Sequence, residues 1–468
     1  DVPSRWDGFP YSLEDLEGSL QSILLRAAAT RSDLVTAYLN ELLADEYRMD
    51  QVFKGVARFS PILARTHATQ LTDISLLHFR EELPRARHDR LYAEDVARNT
   101  RRAAARAKPE AERTDEDDMV LGGPFSILGS SYSHMDWENL AVDKDIGEYF
   151  PASPLREPFN SLFEFAPAEG LRLLKELSNH AMTAWCQLHQ LDPQHRGTPI
   201  PLEMEFPWGK QQFWGMGREY LWARGIWAPK PLSGAYLALE SWALKELASG
   251  RSADAIIEDV LRGNECIAAV AVAVAVAIKS QAVSETTLPL FTTQRLWRYD
   301  LQRKVQEGSL AGSSMIGFHR PGDRAHALAV KAQNELPFRN SWIREYIPLF
   351  LIGAGDNLTS VARARIESFA TDLPFEYEEQ KAIPQFVAEL TEEGRFNAEF
   401  GKTDNVKVAT VEGKEDQAYV YIDNPLARDP RTQERLAENM ERQQEQLLWF
   451  WANQSLEGDT LDAHIAPE

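Results

Sequence analysis

The chain has 468 residues, 44% hydrophobic and 10% aromatic, which is enough apolar side chain to bury a sizeable core. Its length excludes a single compact core and predicts roughly two to four domains or one elongated array. The formal net charge of -21 disfavours general binding to nucleic-acid phosphates, and it indicates either simple solubility or a basic partner surface.

Two cysteines, Cys186 and Cys266, are fewer than the disulfide framework of a secreted domain requires, so we expect reduced thiols and a cytoplasmic location. The chain begins without Met, and no basic stretch followed by an apolar core predicts a secretory signal. The most apolar run, residues 267–278, is shorter than the roughly 20 residues of a membrane helix. We predict that it forms a buried core helix.

The first predicted segment, residues 1–85, consists of N-terminal helical hairpins. Ser12 precedes apolar residues at helical spacing, and Asp15 follows it by three positions, a pattern typical of a capping box. Residues 86–160 are predicted to form a charged linker, either a solvated helix or a mobile loop, and then a long loop rich in Gly, Pro and Asp.

The linker carries a basic cluster, which we interpret as a solvated face because no aromatic residues interleave with it for base stacking; contact with an anion is the alternative. The cluster consists of Arg101, Arg102, Arg106 and Lys108.

The third segment, residues 161–307, is predicted to be a helical-repeat core. Gly250 and Gly263 follow apolar stripes as helix stops, while Ser252 and Asn264 can cap the helices that come next. Successive short amphipathic helices, each too narrow to bury its own face, indicate stacked repeats. The predicted fold is mostly α, an irregular α-solenoid of HEAT- or armadillo-like repeats with one or two small inserted β-hairpins.

An aromatic insertion at residues 199–231 interrupts this core. Residues 200–206 alternate between apolar and polar, which predicts a strand paired with residues 211–214 across Trp208, Gly209 and Lys210. Arg beside Trp and Tyr allows cation–π contacts, and these residue types are common at binding hot spots. The candidate protein-binding surface is Trp208, Trp214, Arg218, Tyr220, Arg224 and Trp227. The alternative is a hairpin that simply covers the open side of the array.

The last segment, residues 308–468, is predicted to be a C-terminal helical region with a small hairpin at 406–422. Residues 406–411 and 417–422 alternate around Gly413. An acidic helix is predicted at 376–393 and a long polar helix at 432–453.

The sequence contains no P-loop motif for a nucleotide, and we expect no cofactor, metal or catalytic residue in this chain. The loop at 134–149 does contain a cluster of polar residues, whose order does not match an EF-hand. The cluster consists of His134, Asp136, Asp143 and Asp145. We interpret it as a polar loop, and an enzyme of unfamiliar type that uses these carboxylates is the alternative.

A family resemblance begins at residues 145–155 and continues at 161–185, 206–209, 218–222, 238–242, 288–290 and 296–297. These stretches are similar to the helical-repeat region of very large bacterial ATP-binding proteins, which resemble NLR-like signal-transducing P-loop ATPases of phage defence. The resemblance covers residues 60–310. In that family the nucleotide site lies in another segment, so the resemblance assigns no catalytic residue here.

The resemblance implies a non-catalytic sensor or scaffold segment of a larger bacterial anti-phage defence ATPase or its complex. Its expected partner is a phage or host protein, or another subunit of the same complex, with no membrane and no nucleic acid involved. An oligomerisation arm, with residues 432–453 as a packing helix, is a further alternative that includes self-association.

Overall fold

The computed structural model describes residues 9–122, 135–142, 147–192, 201–310, 317–352, 355–367, 406–411 and 414–422. The chain divides into two compact units with the boundary after Phe350. The described residues are mostly helical with small antiparallel hairpins, which confirms the predicted fold class. The helices predicted at 376–393 and 432–453 lie outside the described residues.

The α-helices up to the boundary, together with the one that crosses it, follow in chain order. They are α1 (Phe9–Arg26), α2 (Ser32–Ala44), α3 (Glu46–Ala57), α4 (Ser60–Thr66), α5 (Ala68–Phe79), α6 (Pro84–Ala107), α7 (Asp115–Gly122), α8 (Phe159–Phe165), α9 (Pro167–Leu191), α10 (Gly217–Tyr220), α11 (Lys230–Ala248), α12 (Ala253–Leu261), α13 (Ile267–Ser280), α14 (Leu288–Phe291), α15 (Gln294–Leu310), α16 (Arg324–Asn334) and α17 (Ile347–Ile352). Short 3-10 turns lie at Glu110–Glu112, Leu221–Arg224, Pro321–Asp323, Pro337–Asn340 and Ile343–Tyr346.

Successive helices pack against one another, as expected for irregular helical repeats. Helix α8 packs on α9, α11 on α12, and α12 on α13, while α5 also contacts α9 and α11 also contacts α13. Neighbouring helices therefore cover apolar side chains of these helices, which is how short helices gain stability that they lack alone. Among the described helices, none combines the length and apolarity needed to cross a membrane.

The helix boundaries follow local chemistry at most of the predicted stops. Helix α11 ends at Ala248 before Gly250, which has a left-handed φ of +94°, and Ser252 caps α12 by accepting a hydrogen bond from the Ala255 amide at 3.3 Å. Both predictions are confirmed. The run 267–278 forms the buried helix α13, as predicted.

Two predicted caps are wrong. Helix α1 already includes Ser12, because Pro10 fits the first turn of a helix and the helical residues begin at Phe9. Asn264 does not cap α13, whose N-cap is Cys266. The Asn264 side chain instead accepts a hydrogen bond from the Cys266 amide at 3.0 Å, forming a local turn.

The first part of the segment predicted as a charged linker forms helix α6, with Pro84 in its first turn. Arg90 of this helix pairs with Glu94 on the same helix at 3.0 Å and with Glu82, which precedes the helix, at 2.8 Å. Exposed pairs of this kind contribute only about 0–1 kcal/mol each. Packing of α6 on α9 and α7 therefore provides most of its tertiary support.

The described residues form two β-hairpins, in agreement with the one or two that were predicted. Strands β1 (Leu202–Phe206) and β2 (Gly209–Phe213) pair antiparallel, with Phe206 opposite Gly209. The turn therefore consists of Pro207 and Trp208, and β2 begins earlier than the sequence indicated. Gly209 allows this because its φ of +120° is unfavourable for other residues.

The second unit contains α18 (Asp356–Glu367) and the hairpin of β3 (Val406–Val411) with β4 (Lys414–Ile422). The predicted bounds of β3 are confirmed, and β4 begins three residues before the predicted start. A register shift between Thr410 and Val411 accommodates the added length of β4, as β-bulges do.

Candidate protein-binding surface

The six residues of the candidate surface fall into two groups. Trp227 is 50% exposed and Arg218 is exposed, while Trp208 and Trp214 are half-buried. Tyr220 is fully buried, and the Arg224 side chain retains only 5% of its exposure. Tyr220 and Arg224 therefore do not contribute to a solvent-facing surface.

Trp208 lies at the turn of the β1–β2 hairpin, where several contacts fix its ring. It stacks on Phe206 with ring centroids 4.6 Å apart, and its Nε1 donates to the Gln211 Oε1 at 2.8 Å. Gln211 in turn donates to the Leu261 carbonyl at 2.6 Å, and the Arg262 guanidinium lies 6.0 Å from the Trp208 ring centroid. The hairpin is thereby attached to the end of α12.

Trp214 connects the hairpin to the start of α13 through its backbone. Its amide donates to the Glu265 carbonyl at 2.6 Å, and its carbonyl accepts from the Ile267 amide at 2.9 Å. These two bonds form a short parallel bridge with Cys266. The main observed role of Trp214 is thus to anchor the insertion.

Arg218 and Trp227 form the exposed part of the insertion. The Arg218 guanidinium lies 5.9 Å from the Trp227 ring centroid, within the range of a cation–π contact. Trp227 has a φ of +58°, a conformation that costs an L-residue about 1–2 kcal/mol. A large aromatic side chain is therefore held half-exposed at a strained backbone position.

The two inward-facing residues belong to a buried ion network. The Tyr220 hydroxyl donates to Asp300 Oδ1 at 3.1 Å, and burial together with the Asp300 charge raises the pKa of Tyr220 well above its usual value. Arg224 pairs with Glu240 at 2.9 Å and with Glu307 at 2.5 Å. The prediction that both residues face a partner is replaced by a structural role in the interior.

Arg303 and Arg339 complete this network. Arg339 pairs with Glu240 at 2.5 Å and with Glu307 at 3.3 Å. Arg303 pairs with Glu307 at 2.7 Å and with Asp300 at 2.6 Å. Three guanidinium groups thus face three carboxylates, so the interior charge is balanced in this region.

The charges within the network control the ionisation of its members. Burial favours the neutral form of Glu240, but the Arg339 and Arg224 charges outweigh burial and lower its pKa. Burial is also the largest influence on Arg303, yet the neighbouring Asp300 raises the pKa of this guanidinium. Glu240 and Arg303 are therefore charged at neutral pH.

The network also fixes the chain around residues 333–343. Arg303 donates to the Ser341 carbonyl at 2.6 Å, Asp300 accepts from the Ile343 amide at 2.8 Å, and Arg339 donates to the Gln333 carbonyl. A cavity beside the network has a volume of about 10 Å³, room for one water at most. The arrangement joins α11, α15 and the segment after α16 without space for a small-molecule ligand.

Spacing along α15 was the signal that could have identified this network from sequence. Asp300, Arg303 and Glu307 follow one another at helical intervals of three and four residues. Glu240 lies within an apolar stripe of α11, which indicates a buried charge that needs partners. Arg224 and Arg339 come from distant segments, so the sequence could not identify them as those partners.

The loop carboxylates are only partly described. Asp136 accepts hydrogen bonds from the backbone amide and the side-chain amide of Asn139, both at 3.1 Å, which is the geometry of a turn. His134, Asp143 and Asp145 lie outside the described residues. Within the described part of the chain, no group of three His, Cys, Asp or Glu side chains is arranged to hold a metal ion.

The two thiols are free, and burial raises the pKa of both Cys186 and Cys266 to about 12. Both are therefore protonated at neutral pH, and a protonated thiol is a poor nucleophile. Neither cysteine has the low pKa of a reactive thiol.

Comparison with known proteins gives no family assignment, because no protein-family model and no curated protein matches the chain. The exposed part of the aromatic insertion is the Arg218–Trp227 pair. Its inner residues, Tyr220 and Arg224, belong to the ion network that supports the surrounding helices.

Proposed function

We propose that this chain is a helical sensor or scaffold segment that binds a protein partner in the bacterial cytoplasm, as part of a larger anti-phage defence ATPase or its complex. The partner is a phage or host protein or another subunit of that complex. Binding at the exposed insertion is coupled to rearrangement elsewhere in the assembly.

The observation that carries the binding role is Trp227. A bulky residue with φ > 0 is a backbone outlier, and such outliers concentrate at functional sites. Here the strained residue is also half-exposed and lies beside the cation Arg218. Trp and Arg are the residue types that dominate binding hot spots.

Support for the defence context comes from the resemblance of residues 60–310 to helical-repeat regions of large bacterial ATP-binding proteins. Support for a scaffold comes from the packing of successive helices and from the buried ion network. A rigid framework reduces the entropy lost when a partner binds, because the contact residues are already ordered.

The test begins with the immobilised 468-residue chain and lysates of bacteria with and without phage infection. Captured proteins are identified by mass spectrometry, produced separately, and titrated calorimetrically against the chain. We expect Trp227→Ala to lower the affinity for the identified partner about thirtyfold or more, because the loss of a hot-spot side chain costs about 2 kcal/mol. Arg218→Ala should also lower this affinity.

Tyr47→Ala provides the matched control, because Tyr47 is an aromatic residue on α3 that is 76% exposed. Its removal should leave the affinity unchanged. If Trp227→Ala and Arg218→Ala leave the partner affinity as unchanged as Tyr47→Ala does, the proposed surface is refuted. Circular dichroism of each variant establishes that the fold is retained.

A further inference from the structure

An open hollow of about 570 Å³ lies in the first unit, between the loop after residue 146, the start of α11 and the turn before α16. Its volume is within the range typical of ligand sites. Its lining includes Phe150, Lys230, Gly317, His319, Arg320 and Asp323.

Several contacts hold the walls of this hollow in place. Arg156 donates from Nε and Nη2 to the Pro151 carbonyl at 3.1 and 2.8 Å, which fixes the loop that carries Phe150. Gly317 has a φ of +98° and packs so closely that an added Cβ would come within 2.8 Å of Phe150. Asp323 accepts a hydrogen bond from the Arg320 amide at 2.8 Å.

The lining combines two cations, Lys230 and Arg320, with one carboxylate, Asp323, and the aromatic ring of Phe150. Phe150 is 50% exposed, and the Lys230 Nζ lies 5.5 Å from its ring centroid. Among the described residues, no carboxylate forms a salt bridge with the side chain of Lys230 or Arg320. The described part of the chain therefore places two cations without a carboxylate partner beside an exposed ring, in a protein whose formal net charge is -21.

The hollow adjoins the proposed binding surface. Trp227 precedes Lys230 by three residues on the segment that leads into α11. Gly225 on the same segment packs against Ala152, where an added Cβ would lie 3.1 Å from the Ala152 side chain. Ala152 belongs to the loop that carries Phe150, so the two features share a continuous support.

We propose that this hollow binds an acidic peptide segment of the protein partner. Carboxylates of the peptide pair with Lys230 and Arg320, and an aliphatic side chain of the peptide packs on Phe150. Charge complementarity supports this occupant, since a guanidinium binds a carboxylate through two parallel hydrogen bonds. The inference rests on the proposed function and names the chemistry that the partner presents.

The test uses a fluorescein-labelled peptide of alternating Glu and Leu, with a Gln and Leu peptide of equal length for comparison. Fluorescence anisotropy with the 468-residue chain should give an affinity at least about tenfold higher for the Glu peptide, and added salt should reduce it. Lys230→Glu combined with Arg320→Glu should reduce the affinity by about tenfold or more. Phe150→Ala should also lower the affinity for the Glu peptide.

The matched control is Arg98→Glu combined with Arg101→Glu in α6, which changes the net charge by the same amount at two exposed cations. This control should leave peptide binding within about twofold, because its effect is limited to the screened field of distant charges. Equal losses in both double variants would overturn the proposal.

Inorganic phosphate provides the second arm. If phosphate displaces the peptide and Phe150→Ala has no effect, the hollow is a small-anion site and the peptide proposal is overturned.

Binding of the purified partner distinguishes a failure of the peptide site from a failure of the proposed function. Suppose that Trp227→Ala abolishes partner binding, while the Lys230→Glu and Arg320→Glu variant still binds both the partner and the peptide. This inference then fails and the proposed function stands. If instead the double variant loses binding of both and Trp227→Ala still binds the partner, the proposed Trp227 surface fails.

Discussion

Arg218 and Arg224 are only a few residues apart, yet one is exposed and the other is buried. Arg218 and Trp227 remain at the surface, whereas Arg224 turns inward to meet Glu240 and Glu307. A buried guanidinium is tolerated only where carboxylates compensate its charge. Of the two carboxylates that pair with Arg224, Glu240 is the more deeply buried, so its charge has less access to solvent than that of Glu307.

At the residue scale, Glu240→Gln should destabilise the chain by about 3–5 kcal/mol at neutral pH, because it leaves three buried arginines facing two carboxylates. Urea unfolding followed by circular dichroism measures the change in the free energy of unfolding. Glu246→Gln on the same helix is the control, since its pair with Arg251 at 3.6 Å is partly exposed and contributes about 0–1 kcal/mol. Equal effects at the two positions would contradict the network.

The same substitution predicts a pH dependence. The pKa of Glu240 is lowered in the folded chain from an ordinary value of 4.5, so its charge stabilises the fold above that value. This contribution is lost as the pH falls below 4.5 and through the folded pKa. The stability difference between the wild type and Glu240→Gln should therefore be largest at neutral pH and shrink in acid. A difference independent of pH would contradict this assignment.

At the element scale, the helix ends test how far local chemistry determines structure. Gly250 has a φ of +94° after α11 and no atom near an added Cβ, so only backbone strain opposes a side chain there. Gly250→Ala should therefore destabilise the chain by about 1–2 kcal/mol.

Gly18→Ala is the matched comparison, because Gly18 lies inside α1 and likewise has open space around an added Cβ. Here alanine should stabilise the chain by about 0.5–1 kcal/mol through its higher helix propensity. Urea unfolding midpoints compare the two variants. Changes of the same sign would refute the argument from backbone conformation.

The elements also mark where prediction from sequence fails. Ser252 caps its helix as its sequence position indicates, whereas Asn264 forms a turn and leaves the N-cap to Cys266. The difference arises because the Trp214 backbone pairs with residues 265 and 267, which fixes the chain in an extended form just before α13. A local pattern cannot contain that tertiary contact.

At the scale of the whole molecule, the division after Phe350 predicts that the first unit folds by itself. A shortened chain of residues 1–352 keeps α17, in which Phe350 packs on Phe291 with ring centroids 5.2 Å apart. We expect it to remain monodisperse and helical, with a cooperative thermal transition. Light scattering and circular dichroism test this, and aggregation or a gradual transition would contradict the boundary.

The sequence by itself determined the helical class, the two hairpins, the buried helix α13 and the helix stops at Gly250 and Gly263, because spacing of apolar residues and backbone preferences act over a few residues. The side chains that meet across the fold were decided only by the tertiary structure. Arg224 and Glu240 are 16 residues apart, and Arg224 and Glu307 are 83 apart, yet both pairs are in contact. Whether an arginine faces solvent or a buried carboxylate depends on which distant segment packs against it, and no local pattern encodes that choice.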